Sequence, residues 1–220
     1  MAYLKAASLT IILLILSVSL SCAGEFMAPI VISKSQYDID GDGDGKTEEI
    51  EIVLENGRRY NDKELWCGSG EKWEGYFLIR VKKDGFVLSV QSLNSLMSSS
   101  ENSPDPLFFR TPEFSLIFKD YNNDGQIDFN LGQYAGCNGN YYKLFTFKPD
   151  GTIVRLPVKD QEYGFSVSNP ADNPNSTDSI YTDGNLVRFS YYSQSQGSIS
   201  ATYTWNGKYF VLVEEKLNNR

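Results

Sequence analysis

Oxygen-bearing side chains recur at alternate positions in one short stretch of the chain, between residues 120 and 128. They occupy positions 1, 3, 5 and 9 of the stretch, and Gly125 at position 6 allows a sharp turn. Calcium ions prefer about six to eight oxygen ligands at roughly 2.3–2.6 Å, which alternate side chains and one backbone carbonyl can supply. The candidate calcium ligands are Asp120, Asn122, Asp124, Gln126 (through its backbone carbonyl) and Asp128.

A more acidic stretch between residues 40 and 48 has the same spacing. Its position 9 is Glu48, whose side chain is longer than aspartate, and Asp38 just before the stretch permits a shifted register. The candidate ligands here are Asp40, Asp42, Asp44, Lys46 (through its backbone carbonyl) and Glu48.

Either stretch could instead be a metal-free acidic turn, because Asp, Asn and Gly favour turns without any ion. Several carboxylates crowded into one loop repel each other strongly unless a cation compensates their charge. A turn alone would not need an oxygen at every alternate position. We therefore expect Ca²⁺ as the cofactor of both stretches.

An EF-hand-like loop is the alternative calcium geometry, with a glutamate at position 12 and an amphipathic helix on either side. The first stretch allows it, since Glu51 is twelfth from Asp40, but the second has Leu131 at that position. The flanking segments 50–54 and 114–118 are rich in β-branched or aromatic residues, which is typical of strands. We therefore favour a calcium loop within a β-hairpin.

The second stretch resembles the calcium loops of FG-GAP and VCBS repeats, the hairpin modules of integrin-type β-propellers. Their pattern, Asp-x-[Asp/Asn]-x-Asp-Gly-x-x-Asp before a hydrophobic strand, is met at every position from Asp120 to Phe129. The first stretch matches with Glu48 as its last ligand, and the Phe-Gly and Gly-Ala-Pro signatures of the family are absent from the sequence. The resemblance implies structural calcium ions in a propeller-like fold.

The start of the chain is typical of a bacterial export signal. Lys5 precedes an apolar run, residues 6–20, that is too short for a comfortable membrane span. We interpret residues 1–21 as a signal peptide, Cys22 as the lipidation site of a lipoprotein-like box, and residues 22–29 as a tether. Such boxes prefer an aliphatic residue where Ser19 stands, so cleavage near Ala23 and secretion without lipid is the alternative. A lipid would anchor the protein in the periplasm or at the cell surface.

Two further cysteines, Cys67 and Cys137, are disulfide candidates in an exported chain. Their bridge would close a loop of about 70 residues and stabilise the fold by roughly 3–4 kcal/mol in the chain-entropy model. Two independent buried thiols are the alternative.

Composition argues against several classes of function. The net charge is −8, whereas a nucleic-acid partner requires a basic face. Histidine is absent, which removes the commonest general base and the usual partner of a serine or cysteine nucleophile. Because the acids outside the two stretches are scattered, we expect no enzymatic activity.

Aromatic content and short alternating segments favour an all-β fold, with residues 30–217 as one calcium-binding domain. Tight turns are predicted at 83–85, 149–151 and 206–207, a further turn at 56–57 and a long loop over 58–73. We expect short antiparallel hairpins in a small or incomplete propeller-like arrangement, with a β-sandwich as the alternative.

We expect a binding module that recognises a protein or a glycan at the cell surface or in the periplasm. The alternative is an inhibitor or immunity lipoprotein that blocks a lysozyme-like cell-wall hydrolase, because residues 132–147 loosely resemble exported bacterial proteins of that kind. The segments 58–73 and 98–106 are the candidate inhibitory loops. The candidate recognition residues are Tyr134, Asn138, Asn140, Tyr141, Tyr142, Tyr191 and Tyr192.

Overall fold

The computed structural model describes residues 29–39, 46–63, 67–98, 104–168 and 174–218. The predicted signal peptide, Cys22 and nearly all of the tether lie outside these ranges. The strands are β1 (Ile30–Tyr37), β2 (Glu48–Asp62), β3 (Gly70–Lys83), β4 (Phe86–Ser92), β5 (Leu107–Arg110), β6 (Phe118–Lys119), β7 (Asp128–Gly136), β8 (Gly139–Phe147), β9 (Ile153–Leu156), β10 (Phe165–Val167), β11 (Tyr181–Asp183), β12 (Leu186–Ser193), β13 (Gly197–Trp205) and β14 (Phe210–Leu217). One short helix, α1 (Leu93–Met97), follows β4.

These strands form three antiparallel sheets that follow one another along the chain. The first has the order β1-β2-β3-β4, with β5 also paired to β3; the second has the order β10-β8-β7-β6, with β9 also paired to β8. The third has the order β11-β12-β13-β14. The predicted all-β class with antiparallel hairpins is confirmed, and in the described ranges the sheets close into neither a barrel nor a propeller ring.

The second sheet lies between two hydrophobic cores. Phe129 and Phe145 belong to the core shared with the first sheet, whereas Tyr142 and Leu144 belong to the core shared with the third. A strand with a core on each face is buried at consecutive positions, and β8 is buried from Tyr142 to Phe145 without interruption. The hairpin of β7 and β8 therefore connects the two halves of the molecule.

Residues 56–62 and 70–73, which were predicted as a turn and part of a long loop, instead belong to β2 and β3 and extend their hairpin. The Asn56-Gly57 pair sits at a register shift within β2 and does not end the strand. A Cβ on Gly57, whose φ is 156°, would come 2.1 Å from the carbonyl oxygen of Glu74. Glycine is required here by the close approach of β3, which a sequence cannot distinguish from the demands of a turn.

Helix content is small, as predicted. Helix α1 has five residues and is capped by the Ser92 hydroxyl, which accepts a hydrogen bond from the Ser95 backbone N–H. Within the described ranges, no helix is long and apolar enough to cross a membrane.

Candidate functional site

The second acidic loop, residues 120–127, connects β6 to β7. Both neighbours are strands, so the loop lies in a β-hairpin and lacks the helices of an EF-hand. The strand predicted over 114–118 was largely wrong, because β6 has only two residues and Phe114 forms an isolated bridge to Ser33. Asn123 and Gly125 adopt positive φ values of 57° and 84°, which turn the chain sharply. Asparagine and glycine are the residues that adopt this conformation at least cost, and they explain why the loop forms here.

Side-chain oxygens of this loop accept hydrogen bonds from its own backbone. Asp120 Oδ2 accepts from the Gly125 N–H at 2.9 Å, and Asp124 Oδ1 accepts from the Gln126 N–H at 2.8 Å. The Asn122 amide donates to Asp124 Oδ2 at 2.8 Å. An ionised carboxylate offers about four lone-pair sites, so these oxygens keep capacity for another ligand.

Asp128 is the residue of this loop that lacks compensation. It is fully buried, and its Oδ2 accepts from the Tyr121 backbone N–H at 2.8 Å. Its Oδ1 is buried and makes no hydrogen bond of good geometry, and the Thr146 hydroxyl on the facing strand is the neutral donor beside it. The pKa of Asp128 is raised to about 7, chiefly by burial; the Thr146 hydroxyl and the Tyr121 N–H act to lower it, and the charges of Asp124 and Asp120 act to raise it.

The donor set fits calcium, since it consists only of oxygen and includes three carboxylates. The described residues contain no cluster of three or more Asp, Glu, His or Cys side chains that could hold a metal as placed. The chemical fit therefore rests on the uncompensated oxygen of Asp128. Asp120, Asn122, Asp124, Asp128 and the carbonyl of Gln126 would hold the ion, which would neutralise the carboxylates and tie the loop to β7.

The first acidic loop is described only at its ends. Asp40, Asp42 and Asp44 lie outside the described residues. Glu48 is fully buried, and its Oε2 accepts from the Ile39 backbone N–H at 3.0 Å. Its Oε1 lies 3.1 Å from the Lys83 ammonium, while the Lys46 side chain pairs with Asp84 at 2.8 Å.

The two loops share one arrangement with different spacing. In each, a buried carboxylate at the start of a strand accepts from the backbone N–H of a buried residue that precedes it in the chain. Tyr121 lies seven residues before Asp128, whereas Ile39 lies nine before Glu48, so the connection is two residues longer in the first loop. The register of the ligands in the first loop stays a prediction.

The two loops border a common cleft of about 550 Å³. Residues 36–39 and Thr47 line one side, and Asp120 and residues 125–127 line the other. The rings of Tyr37 and Phe118 meet beside it with centroids 4.9 Å apart. The predicted calcium loops, 80 residues apart in sequence, are thus neighbours between the first and second sheets.

A disulfide lies at the end of the β7–β8 hairpin that is remote from the second acidic loop. Cys67 and Cys137 are joined as a disulfide, with their Cα atoms 5.1 Å apart, so the tip of the β7–β8 hairpin is tied to the β2–β3 extension. Arg110 supports the same junction, because its guanidinium donates to the Cys67 carbonyl at 2.8 Å.

Beside this junction lies a groove, which we call the aromatic groove, of about 540 Å³. Phe108 and Tyr134 separate it from a smaller pocket of about 160 Å³ that reaches Gly68 and Lys72. Sequence analysis identified neither Phe108 nor Tyr163, because β5 and the loop before β10 were not predicted. The lining side chains that matter below are Asp105, Phe108, Tyr134, Tyr141, Lys143, Glu162 and Tyr163.

Several of the predicted recognition residues are exposed, but others were wrong. Tyr134, Asn138, Tyr141 and Tyr192 are exposed. Tyr142 is fully buried and Asn140 nearly so, and both donate hydrogen bonds to the Pro174 carbonyl. Alternation along β8 explains this error, since neighbouring residues point to opposite faces of a sheet.

Lys143 is a buried cation on the groove side of β8. Its ammonium donates to the Met97 carbonyl at 2.6 Å, and the residue is 5 % exposed. Burial lowers the pKa of Lys143 to about 8, and the nearby charge of Arg155 lowers it further while Glu162 opposes both.

Comparisons with known proteins add little to this geometry. No protein-family model matches the chain, and no curated protein matches it. A solved structure described as a Xanthomonas type IV secretion system related protein is similar with a TM-score of 0.44 and 13 % identity, over 86 % of each chain. A similarity of this size supports no argument, and the FG-GAP and VCBS resemblance stays a prediction.

Proposed function

We propose that this protein is a calcium-stabilised binding module, in which the ions are structural and the aromatic groove is the recognition surface. The observation that carries the proposal is the fully buried Asp128, whose Oδ1 makes no hydrogen bond of good geometry and faces no cation among the described residues. An uncompensated buried carboxylate costs several kcal/mol, and a cation is the partner that an all-oxygen loop selects.

The position of the loop supports a structural role for the ion. Asp128 begins β7, and Tyr134 lies on the same strand at the aromatic groove. At about 3.3 Å per residue, these two positions are about 20 Å apart. An ion in the loop would therefore hold one end of the strand whose other end lines the groove.

The exposed aromatic residues support recognition at the groove. Phe108, Tyr134, Tyr141 and Tyr163 are between 37 % and 62 % exposed, although large aromatic side chains are usually buried when they serve only the fold. Exposed aromatics that border a concave surface are typical of binding sites.

Calcium dependence of the unfolding temperature tests the proposal. We expect Tm to rise by several degrees between EDTA and about 10 mM CaCl₂, because roughly 10⁻³–10⁻⁴ M affinity gives about 1.4–2.7 kcal/mol by mass action. The variant Asp124→Ala should lose the part of the shift that belongs to the second loop. Asp183→Ala, an exposed position paired with Arg188, is the matched control and should keep the full shift. Equal Tm values for the unmodified protein with and without calcium would refute the proposal.

A further inference from the structure

We propose that the aromatic groove binds a carbohydrate chain, by stacking sugar rings on Tyr141 and Tyr163. This inference rests on the proposed function, since it names the ligand class of the same recognition surface. Four observations support the inference: the shape of the groove, its aromatic faces, the polar groups around them, and the hydrogen bonds that its backbone already makes.

The aromatic faces are arranged as a platform. The rings of Tyr141 and Tyr163 are stacked, with centroids 5.6 Å apart and planes 28° from parallel. Tyr163 is 62 % exposed and Tyr141 38 %, so the pair keeps open surface towards solvent. Rings held against each other lose little conformational entropy when a flat ligand covers them, which favours stacking.

Sugar rings match such a platform because their two faces carry C–H groups while their edges carry hydroxyl groups. The C–H faces can cover aromatic surface and remove it from water. Phe108 and Tyr134 supply further aromatic surface in the same groove. A volume of about 540 Å³ is suited to a few sugar units and lies in the roughly 300–1,000 Å³ range of ligand sites.

Polar groups around the platform match the hydroxyl edges. Asp105, Lys143 and Glu162 line the groove between and beside the aromatic residues. Hydroxyl groups both donate and accept, so they can bind a carboxylate and an ammonium in one site. A wholly apolar ligand would desolvate these charged groups without replacing their hydrogen bonds, which is unfavourable.

The backbone of the groove argues against a peptide that adds a strand. Tyr141 already pairs with Ser166 across β8 and β10, and the backbone N–H and carbonyl of Phe108 are both bound by the Gln133 side chain. Strand addition depends on unpaired backbone groups at an edge. A ligand recognised through ring faces and hydroxyl groups needs none.

Calorimetric titration with cellotetraose, chitotetraose and maltotetraose in calcium-containing buffer tests the inference. We expect at least one to bind, with a Kd of about 1 mM or tighter. Tyr163→Ala should weaken that binding about tenfold, whereas Tyr163→Phe, which keeps the ring, should retain it. Tyr181→Ala is the matched control, because this tyrosine is 61 % exposed and lies on the third sheet, outside the lining of the groove.

The outcomes separate this inference from the function on which it rests. Absence of binding by all three tetrasaccharides overturns the carbohydrate assignment, as does binding that Tyr163→Ala leaves unchanged. A proline-rich peptide that binds in their place, with the same dependence on Tyr163, would show that the groove is a peptide site. The calcium-dependent shift in Tm of the unmodified protein tests the proposed function separately. If calcium still raises Tm, a negative binding result overturns only the carbohydrate assignment; if calcium does not raise Tm, the calcium-stabilised module is itself refuted.

Discussion

The two acidic loops are alike in construction but differ in how their buried carboxylate is neutralised. Glu48 and Asp128 are both fully buried, and each accepts one backbone N–H with one oxygen. Neither second oxygen makes a hydrogen bond of good geometry, but that of Glu48 lies 3.1 Å from the Lys83 ammonium, whereas that of Asp128 meets no cation among the described residues. The buried carboxylate of the first loop therefore has a counter-charge from its own chain, and that of the second has none among the described residues.

This difference changes what the number of acids in a loop means. The first stretch has more carboxylates, yet its innermost one already has a partner in β3. Charge counting from sequence would rank it as the stronger calcium site. The environment of the deepest carboxylate ranks the second loop first, because a buried charge without a partner is the more costly state.

Removing Lys83, the cation on β3 that pairs with Glu48, should have the largest effect on stability. We expect Lys83→Met to lower the free energy of unfolding by about 2–3 kcal/mol in EDTA, because a buried carboxylate loses its ion pair. Urea unfolding measures the change, and Lys83→Met combined with Glu48→Gln should recover most of it. If saturating calcium also recovers the stability of Lys83→Met, the first loop binds calcium through Glu48, and the contrast between the loops is smaller than inferred.

Lys143 is a buried cation, and it tests the cost of a buried positive charge as Asp128 tests that of a buried negative one. The unfolded chain binds more protons than the folded one between the pKa of about 8 and the model-peptide value near 10.4, so stability should rise with pH across this window. The unmodified protein should gain about 1–3 kcal/mol relative to Lys143→Met between pH 7.5 and 10. Urea unfolding at both pH values gives this difference, and Lys148→Met, at an exposed position, is the control. Parallel pH profiles for the protein and Lys143→Met would contradict the buried ammonium.

Asp128→Asn tests the second loop directly. In EDTA this variant should be about 1 kcal/mol more stable than the unmodified protein, because it removes an uncompensated buried charge. In calcium the order should reverse, since the variant lacks a charged ligand and gains little from the ion. Thermal unfolding under both conditions shows whether the two curves cross. Asp183→Asn should shift neither, and an Asp128→Asn variant that is less stable under both conditions would contradict the inference.

Lys46→Met should have the smallest effect. Lys46 and Asp84 form an ion pair at 2.8 Å, but their side chains are 54 % and 57 % exposed. Exposed pairs contribute about 0–1 kcal/mol, so we expect a loss below about 0.5 kcal/mol by urea unfolding. A loss of stability as large as that of Lys83→Met would show that burial of the ion pair does not explain the difference expected between Lys83 and Lys46.

Local signals predicted much of this fold. Asp84-Gly85 and Asn206-Gly207 lie in tight hairpin turns as expected, and the alternating segments that flank them are strands. The Asn56-Gly57 pair was misread, because glycine serves there to let two strands approach. Turn chemistry and close packing impose the same residue, and only the fold distinguishes them.

The candidate sites also differ in how far local sequence signals could predict them. The ligand spacing of the second loop is local and was visible in the sequence. The aromatic groove is not local, because Phe108, Tyr141 and Tyr163 come from three separate segments that the sheets bring together. The counter-charge on Glu48 was also hidden, since Lys83 lies 35 positions later and reaches Glu48 only through the pairing of β2 and β3.

The β7–β8 hairpin has a consequence for how binding would be lost. Tyr141 faces the groove and Tyr142 faces a core, so sliding β8 by one residue would exchange the two rings between ligand and interior. The second acidic loop at one end of the hairpin and the disulfide at the other both hold it against such a slide. Loss of ligand binding should therefore be all-or-none. A molecule with the shifted register would not bind, and no form with intermediate affinity should be populated.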